Sequence, residues 1–303
     1  MPFQTGTFPD AYRSRLANLI QIVRDTYDRF QPVMPKYFYR YGPEAVKGST
    51  AVFTGLSGLG LHAETAENAP IDFDTPVQGY DKTFTIIKWG LALQISDEAF
   101  EDDQDAIVAG YAREFGVSAA ESHETLLANV LNNGFGTETS ADGLSLFNAA
   151  HLTPKAGTFR NTPATAADLS MASLEQMFID MGNVIDQAGR KIRVTPKWLS
   201  VPTEFHWLAM RLIGSSQLPQ TANNDLNPAF QALQVDKSEY YTDLDAWFGI
   251  AAPNPTGLVV IEKRPVRMKT QRDERSENTE FISSFRQIQG GIDPAHIYGN
   301  PGA

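Results

Sequence analysis

The sequence predicts a mixed α+β protein, because the period of its apolar residues changes along the chain. Apolar side chains recur at helical spacing in residues 10–30, alternate as in an extended strand in 82–95, and return to helical spacing in 97–131. A further helical stripe follows near 173–185, with short strands expected at 198–201 and 258–262. At 303 residues the chain can form one large domain or two modest ones.

The first helix is expected to begin behind Pro9, with Asp10 as its candidate cap, and to end before Pro32 and Pro35. Its apolar stripe consists of Leu16, Leu19, Ile20, Val23, Tyr27 and Phe30. Such a stripe packs either on the helix's own domain or on a neighbouring subunit, and the pattern leaves both interpretations open.

Residues 71–96 are predicted to be extended, with a turn at Pro76–Gly79 that joins two strands into a ribbon. A strand over Lys82–Ile95 would be about 45 Å long at about 3.3 Å per residue, which exceeds the usual strand of about five or six residues. Because an isolated hairpin is marginal in water, another surface is expected to cover this ribbon.

The helix over 97–131 would be roughly 50 Å long if it is continuous, and Gly110 and Gly116 are the candidate points of a kink or division. A helix of this length indicates an elongated subunit. The six acidic residues between Asp97 and Asp105 could form a metal or acid–base site, or they could begin the helix. We favour the helix start, because carboxylates there are favourable by about 0.3–1 kcal/mol each and no EF-hand glycine pattern accompanies them.

The second half alternates loops with short elements. Residues 132–170 are dense in small and polar residues, and Ser173 and Gln176 are predicted to form a capping box at the start of the next helix. Another helix is expected over Thr203–Ile213, and the segment Gln217–Asp236 shows no periodicity. From Thr270 the chain is expected to be extended and packed rather than helical.

Composition argues against several classes of function. The chain has no cysteine, which excludes disulfides, thiolate zinc sites and cysteine nucleophiles, and its five histidines lie at no ligand spacing. The net charge of −11 argues against a dedicated nucleic-acid binder. Residues 55–60 do not fit a dinucleotide loop. No catalytic, cofactor or metal site is predicted. No signal peptide or apolar membrane span is recognisable, which predicts a protein made and kept in a cytoplasm.

Several segments carry a resemblance to a known family when they are taken in order. They are Asp142-Gly143, Leu146-Phe147 and His151, then Leu174-Glu175-Gln176, 193–202, Leu208-Ala209, 211–213 and 242–248. Together they resemble the major capsid proteins of tailed double-stranded DNA bacteriophages, in the subgroup related to Mu-like head subunits. The resemblance extends from about Asp72 to Gly299.

The resemblance implies a Hong Kong 97-like capsid fold. The expected parts are an N-terminal arm, an extended loop with the first peripheral strand, a peripheral domain with a long spine helix, an axial domain, and a C-terminal return to the peripheral domain. Their expected bounds are 1–48, 49–96, 97–165, 166–265 and 266–303, in that order.

The implied function is that of a major capsid protein, a structural protein and not an enzyme. It would assemble with itself into hexamers and pentamers, in the host cytoplasm, and close into the icosahedral shell of the virion. The shell would enclose double-stranded DNA without sequence-specific binding or a membrane. Further expected partners are a separate scaffolding protein, since the chain begins almost directly with the arm helix, a portal and a candidate decoration protein.

The assembly interface is expected to include an apolar set from the first helix and the ribbon: Leu19, Val23, Tyr27, Phe30, Val77, Tyr80 and Phe84. An encapsulin-type nanocompartment shell, with a protein cargo, is the alternative function. A metal-dependent hydrolase built on the Asp97–Asp105 carboxylates and His123 is the remote one.

Overall fold

The computed structural model describes residues 7–68, 70–96, 98, 102, 107–155, 157–217, 226–273 and 278–303. Their secondary structure is mixed helix and strand, as the sequence predicts. Two four-stranded sheets dominate the described chain, and a two-stranded ribbon and a short strand pair accompany them. We call the four-stranded sheet with the longer strands the peripheral sheet and the other four-stranded sheet the axial sheet.

The peripheral sheet has the strand order β1-β10-β11-β4. Its bounds are Tyr39–Tyr41 for β1, Leu258–Asp273 for β10, Asn278–Gly291 for β11 and Ile87–Ser96 for β4. The pairs β10–β11 and β11–β4 are antiparallel, and β1 runs parallel to β10. The strand predicted at 258–262 is therefore only the beginning of β10, and the prediction of extended structure after Thr270 is confirmed for the described residues.

Two helices cover one face of the peripheral sheet. They are α1, Thr7–Arg29, and α2, Ile107–Asn132, which confirm the two predicted helices over most of their length. The predicted start of the first helix is wrong, because α1 begins at Thr7, so that Pro9 and the candidate cap Asp10 lie within it. Glycine is needed at Gly116, because a Cβ there would lie 2.7 Å from the carbonyl oxygen of Val23 in α1. Neither Gly110 nor Gly116 divides α2. Of the predicted first turns of this helix, 97, 99–101 and 103–106 lie outside the described residues.

The ribbon is formed by β2, Thr50–Leu56, and β3, Gln78–Thr85, in antiparallel register. The predicted turn at Pro76–Gly79 is therefore wrong, because the partner of β3 lies earlier in the chain and a long connection, 57–77, joins the two strands. The single strand predicted over Lys82–Ile95 is also wrong. It divides at Ile86, whose amide donates to the carbonyl oxygen of Ser49, so β3 and β4 belong to different sheets.

The axial sheet has the order β12-β9-β7-β8. Its strands are β7 at Pro196–Pro202, β8 at Gln234–Ser238, β9 at Trp247–Ala251 and β12 at Ile297–Asn300. Helices α3, Met171–Gly182, and α4, His206–Gly214, pack on this sheet around a shared apolar cluster. The short elements are β5 at His151–Leu152, β6 at Thr158–Phe159 and single 3₁₀ turns at Met34–Tyr37, Pro43–Ala45 and Pro294–His296.

The start of α3 differs from its prediction. Ser170 is the N-cap and Ser173 is the third helical residue, and each hydroxyl accepts from the other residue's amide. The predicted pairing of Ser173 with Gln176 is wrong, because Gln176 instead donates to the Asp180 carboxylate at 2.9 Å. The N-cap is Ser170, three residues before the predicted Ser173. The sequence signal was missed because the third position of this capping box is held by Ser173 and not by the usual Glu or Gln.

One apolar core joins the two sheets. Buried side chains from α2, β7, β9 and β10 meet there, among them Leu127, Leu131, Trp198, Phe248 and Val260. The arm reaches this core through Met34 and Tyr37, which follow α1 and are almost fully buried. The peripheral and axial sheets are thus held by a common core, and the ribbon lies outside it.

Candidate assembly surfaces

The connection at the end of the ribbon, residues 57–77, exposes large apolar side chains. We call it the ribbon tip. Phe73 is 100% exposed, Leu61 83% and Ile71 78%, and Leu56, at the end of β2, is 82% exposed. Exposed apolar residues scattered singly are ordinary, but several on one segment mark an interaction surface. The ribbon tip is therefore the first candidate assembly surface.

The base of the ribbon tip is fixed by hydrogen bonds. The Ser57 amide donates to the Val77 carbonyl at 3.0 Å, and the Val77 amide donates to the Ser57 hydroxyl at 2.7 Å. Farther out, Asp74 accepts from the Gly60 amide and from Lys155 Nζ, both at 2.5 Å. The Gly60 amide and then the Lys155 ammonium lower the pKa of Asp74. The tip is thus attached to its own subunit through polar atoms, and its apolar side chains remain uncovered.

A close approach between the two ribbon strands requires glycine at Gly55 and Gly79. A Cβ on Gly79 would lie 2.7 Å from the Gly55 carbonyl carbon and 2.0 Å from Oε1 of Gln187. Gln187 belongs to the turn after α3, so the ribbon rests on the axial part of the chain at this point. The register of β2 and β3 shifts here, between Thr54 and Leu56.

The seven predicted interface residues differ in how far they are buried. Leu19 and Val23 are buried in a cluster with Phe115 of α2 and Phe281 of β11. Tyr27, Phe30 and Tyr80 are half-buried, with Tyr80 beside Gln187. Val77 is exposed.

Phe84 is buried against Val259 and Ile261 of β10. Leu19, Val23 and Phe84 therefore have apolar partners within the subunit, as the first of the two interpretations of the helical stripe expects. A role of the seven residues in contacts between subunits stays a prediction.

A second exposed apolar surface lies on the axial part of the chain. Trp207 of α4 is 75% exposed, and Met210, one turn later, is also exposed. A separate groove of about 410 Å³ lies between α3 and the 226–233 turn, and its lining is apolar apart from Glu175: Met171, Leu174, Phe178, Ile179, Pro228, Ala229 and Ala232. Sequence patterning missed this surface, although Trp207, Met210 and Arg211 share one helical face.

Glu124 of α2 fixes the junction between the arm and the core. Its Oε1 accepts from the amides of Val33 and Met34 at 2.7 and 2.8 Å. Its Oε2 has no hydrogen-bond partner among the described residues. Burial raises the pKa of Glu124, and the two amide hydrogen bonds oppose that rise. The carboxylate is therefore structural, since it satisfies two amides at the start of the 3₁₀ turn.

The Asp142 and His151 side chains of the resemblance segments form one buried network. His151 Nδ1 lies 2.7 Å from Asp142 Oδ2, and Nε2 lies 3.1 Å from Asn161 Oδ1. Burial alone would raise the pKa of Asp142, but hydrogen bonds from His151 and Ser140 lower it. Because His151 is completely buried, this pair closes the loop between α2 and α3 and is not arranged for contact with a substrate.

The remote hydrolase hypothesis depends on the Asp97–Asp105 carboxylates and His123. Of that acidic run, only Glu98 and Asp102 are described, and the Asp102 amide donates to the Glu98 carbonyl at 2.9 Å, a helical spacing. His123 lies beside Phe285, and burial lowers its pKa. Within the described ranges, no three His, Asp or Glu side chains are grouped as a metal site. No described helix is long and apolar enough to cross a membrane.

Solved structures with a similar architecture include phage capsids and a virus-like particle. The mature capsid of bacteriophage PhiM1 has a TM-score of 0.63 at 11% identity, with 89% of this chain and 87% of that chain covered. The capsid of cyanophage P-SCSP1u gives 0.60 at 11% identity, covering 91% and 89%. A virus-like particle from Pyrococcus furiosus gives 0.55 at 12% identity, covering 94% and 98%. The fold is therefore the Hong Kong 97-like shell fold.

A protein-family model described as phage capsid protein matches residues 79–300, which is more than half of the chain. No curated protein sequence matches this chain. The chain belongs to the phage capsid protein family, and it is a major capsid protein that forms part of a shell. The family is one of structural virion proteins, which the resemblance of the 142–151 and 242–248 segments correctly indicated.

Proposed function

We propose that copies of this chain associate into hexamers and pentamers and close into an icosahedral shell around double-stranded phage DNA. The observation that carries the proposal is the ribbon tip, whose exposed Leu61, Ile71 and Phe73 are not covered by apolar side chains of the described residues. A large exposed apolar side chain is worth about 1.5–3 kcal/mol when it is fully buried. Repetition of such contacts around closed symmetry stabilises a shell from weak individual contacts.

We further propose which range of the chain forms each part of the capsid subunit. Residues 1–48 act as the arm, 49–96 as the extended loop and first peripheral strand, 97–165 as the peripheral domain with α2 as its spine, and 166–265 as the axial domain. Strand β10 enters the peripheral sheet at Leu258, shortly before the end of the last of these parts. Residues 266–303 carry β11 back to the peripheral sheet and then β12 to the axial sheet. The ribbon would extend over a neighbouring subunit, as its exposed tip favours.

The proposed partners follow from the same function. A separate scaffolding protein, a portal and a decoration protein would bind the shell, which assembles in the host cytoplasm. The shell would hold DNA without sequence-specific contacts, in agreement with a net charge of −11. We propose a structural role for the buried Asp142–His151 pair and no catalytic step at it.

The test compares two double variants of the ribbon tip. L61S/F73S removes both apolar side chains, and L61M/F73L keeps apolar groups of similar size at the same positions. Because both side chains are exposed in the subunit, circular dichroism should show an intact fold for each variant. Electron microscopy and sedimentation velocity should show shells for the intact protein and L61M/F73L but few for L61S/F73S.

Shells formed equally by L61S/F73S would contradict the role of the tip. The content of particles from producing cells separates the two shell functions. Nuclease-protected double-stranded DNA supports the phage shell, whereas a defined protein cargo without DNA supports the encapsulin-type compartment.

A further inference from the structure

The ribbon rests on a closed turn of its own subunit. This turn consists of residues 186–190, and we call it the cradle. Asp186 closes the cradle by accepting from the amides of Ala188 and Arg190 at 2.9 and 2.8 Å. The same carboxylate holds the Arg190 guanidinium, with Nε at 2.9 Å and Nη2 at 2.8 Å from Oδ2. Because one carboxylate binds both the backbone and the side chain of the turn, the cradle gives the ribbon a well-defined support.

The ribbon backbone lies directly on the cradle at two glycines. A Cβ on Gly79 would lie 2.0 Å from Oε1 of Gln187. A Cβ on Gly58, at the beginning of the tip, would lie 2.6 Å from Nη2 of Arg190. Glycine at both points therefore allows a close approach that a side chain would prevent.

A third contact lies farther out on the tip and is ionic. Lys155 lies beside the cradle, because its amide donates to the Gln187 carbonyl at 3.3 Å. Its Nζ lies 2.5 Å from Oδ1 of Asp74. The other oxygen of this carboxylate accepts from the Gly60 amide at 2.5 Å. Asp74 thus joins the outgoing and returning parts of the tip to each other and to Lys155, and we call this arrangement the clasp.

The described residues offer the tip no apolar contact in place of the clasp. Phe53 and Phe84 pack at the ribbon base, but no residue of 57–77 belongs to any of the four buried apolar clusters. Among the carboxylates of the tip, only Asp74 forms an ion pair with a described residue. The outer part of the tip is therefore held by the clasp rather than by packing.

We propose that Asp74 and Lys155 are positioning residues for assembly, because the closed clasp fixes the shape of the ribbon tip and the direction in which it leaves its subunit. This inference rests on the self-assembly proposed above and assigns two residues a role in it. In the closed clasp, Leu61, Ile71 and Phe73 remain exposed, so the tip is held in a form that displays its apolar side chains. A segment already held in one form loses less conformational freedom on binding, which increases its affinity.

A weak clasp is sufficient for this role. An exposed ion pair shifts a local equilibrium by up to about fivefold. The affinity of a subunit whose tip is formed only part of the time falls in proportion to the formed fraction. In a ring this factor enters once for each copy, so a loss of about threefold per tip exceeds about tenfold for the ring. Opening of the clasp should therefore slow assembly strongly.

Matched variants test the clasp. K155M removes the cation and keeps a long side chain, whereas K155R keeps a cation. D74N leaves an oxygen that can accept from the Gly60 amide but removes the charge. The controls K47M and E44Q make the same charge changes at exposed positions away from the tip. Circular dichroism of each unassembled subunit confirms folding before anything else is measured.

The first measurement follows the tip in the unassembled subunit. Because the chain has no cysteine, L61C/A172C places one spin label on the tip and one on α3, both at exposed positions. Electron–electron double resonance then reports the distribution of distances between the labels. At about 0.1 M salt this distribution should be narrow in the otherwise intact protein and in K155R, and about twofold wider or more in K155M and D74N. At about 1 M salt, where the screening length is about 3 Å, it should widen in the otherwise intact protein as well. Unchanged widths in K155M and D74N would overturn the proposal.

The second measurement is the initial rate of shell formation, followed by light scattering without labels. K155M and D74N should lower this rate by about tenfold or more, K155R should stay within about twofold of the intact protein, and both controls should assemble normally. Normal or faster assembly by K155M and D74N, despite wider distance distributions, would overturn the positioning role. The expected changes in distance in a protein that forms no shell would support the clasp and refute the proposed function.

Discussion

Replacing Glu124 tests how the arm is joined to the core. In E124A, the buried amides of Val33 and Met34 lose the carboxylate oxygen that accepts from them at 2.7 and 2.8 Å. Leaving a buried donor without a partner costs about 1–3 kcal/mol, so two such donors amount to about 2–6 kcal/mol. Removal of a buried charge offsets part of this loss. In E124Q the side-chain carbonyl can still accept from both amides, so the expected loss is about 1 kcal/mol or less.

The pH dependence gives the same prediction a second signature. Burial raises the pKa of Glu124 in the folded subunit above its value in the unfolded chain. The stability contributed by the protonated Glu124 side chain is therefore fully present below the ordinary glutamate pKa of about 4.3. It is lost as the pH rises through the pKa of Glu124 in the folded subunit. Because glutamine does not titrate, E124Q should gain stability relative to the intact protein as the pH rises from about 4 to about 7.

Urea unfolding of the unassembled subunit, followed by tryptophan fluorescence, measures both effects. The free energy of unfolding should decrease in the order intact protein, E124Q, E124A near pH 5, and the gap between the first two should narrow or reverse near pH 7. Equal stability of E124A and E124Q at both pH values would refute the reasoning, because it would mean that the two amide hydrogen bonds contribute nothing.

Three further outcomes are expected. In D142N the free energy of unfolding should fall less steeply as the pH is lowered than it does in the intact protein. The lowered pKa of Asp142 contributes stability that the intact protein loses as the pH falls through the pKa of Asp142 in the folded subunit. Urea unfolding from about pH 5 to about pH 2 checks this. G79V should loosen the ribbon, since a Cβ would lie 2.7 Å from the backbone carbonyl carbon of Gly55 in the paired strand, and limited proteolysis should then cut within 57–77 faster than in the intact protein. W207S should change the free energy of unfolding by about 0.5 kcal/mol or less, because Trp207 is exposed, yet reduce shell yield in sedimentation if its helix face joins subunits.

The helices could be predicted from the sequence because their evidence is local. Leu19 and Val23 recur at the spacing of one helical face, and the structure places them against the apolar face of α2. The beginning of α3 was predicted three residues too late. Its capping box has Ser173 at the third helical position, where glutamate or glutamine is the usual sequence signal.

Strand pairing could not be predicted in the same way, because it depends on residues distant in sequence. The partner of β3 lies in 50–56, within the longer stretch 49–70 that is rich in Gly, Thr and Ala, so the nearby turn residues Pro76–Gly79 suggested a local hairpin instead. Strand β9 was missed because Trp247–Ala251 is buried on both sides and shows no alternation. Strand β8 is short and polar, and it follows a loop without periodicity.

An apolar stripe in the sequence does not say whether its partner belongs to the same chain. Leu19 and Phe73 are equally apolar in the sequence, but Leu19 is buried against α2 whereas Phe73 is fully exposed. The partner of Phe73 can therefore be sought only after every contact within the subunit has been assigned. The same holds for charge: Asp74 has Lys155, but Arg267 and Lys269 have no acidic partner in the described part of the subunit. Surfaces that folding leaves uncovered, such as the apolar side chains of the ribbon tip, are therefore the ones that we propose as contacts between subunits.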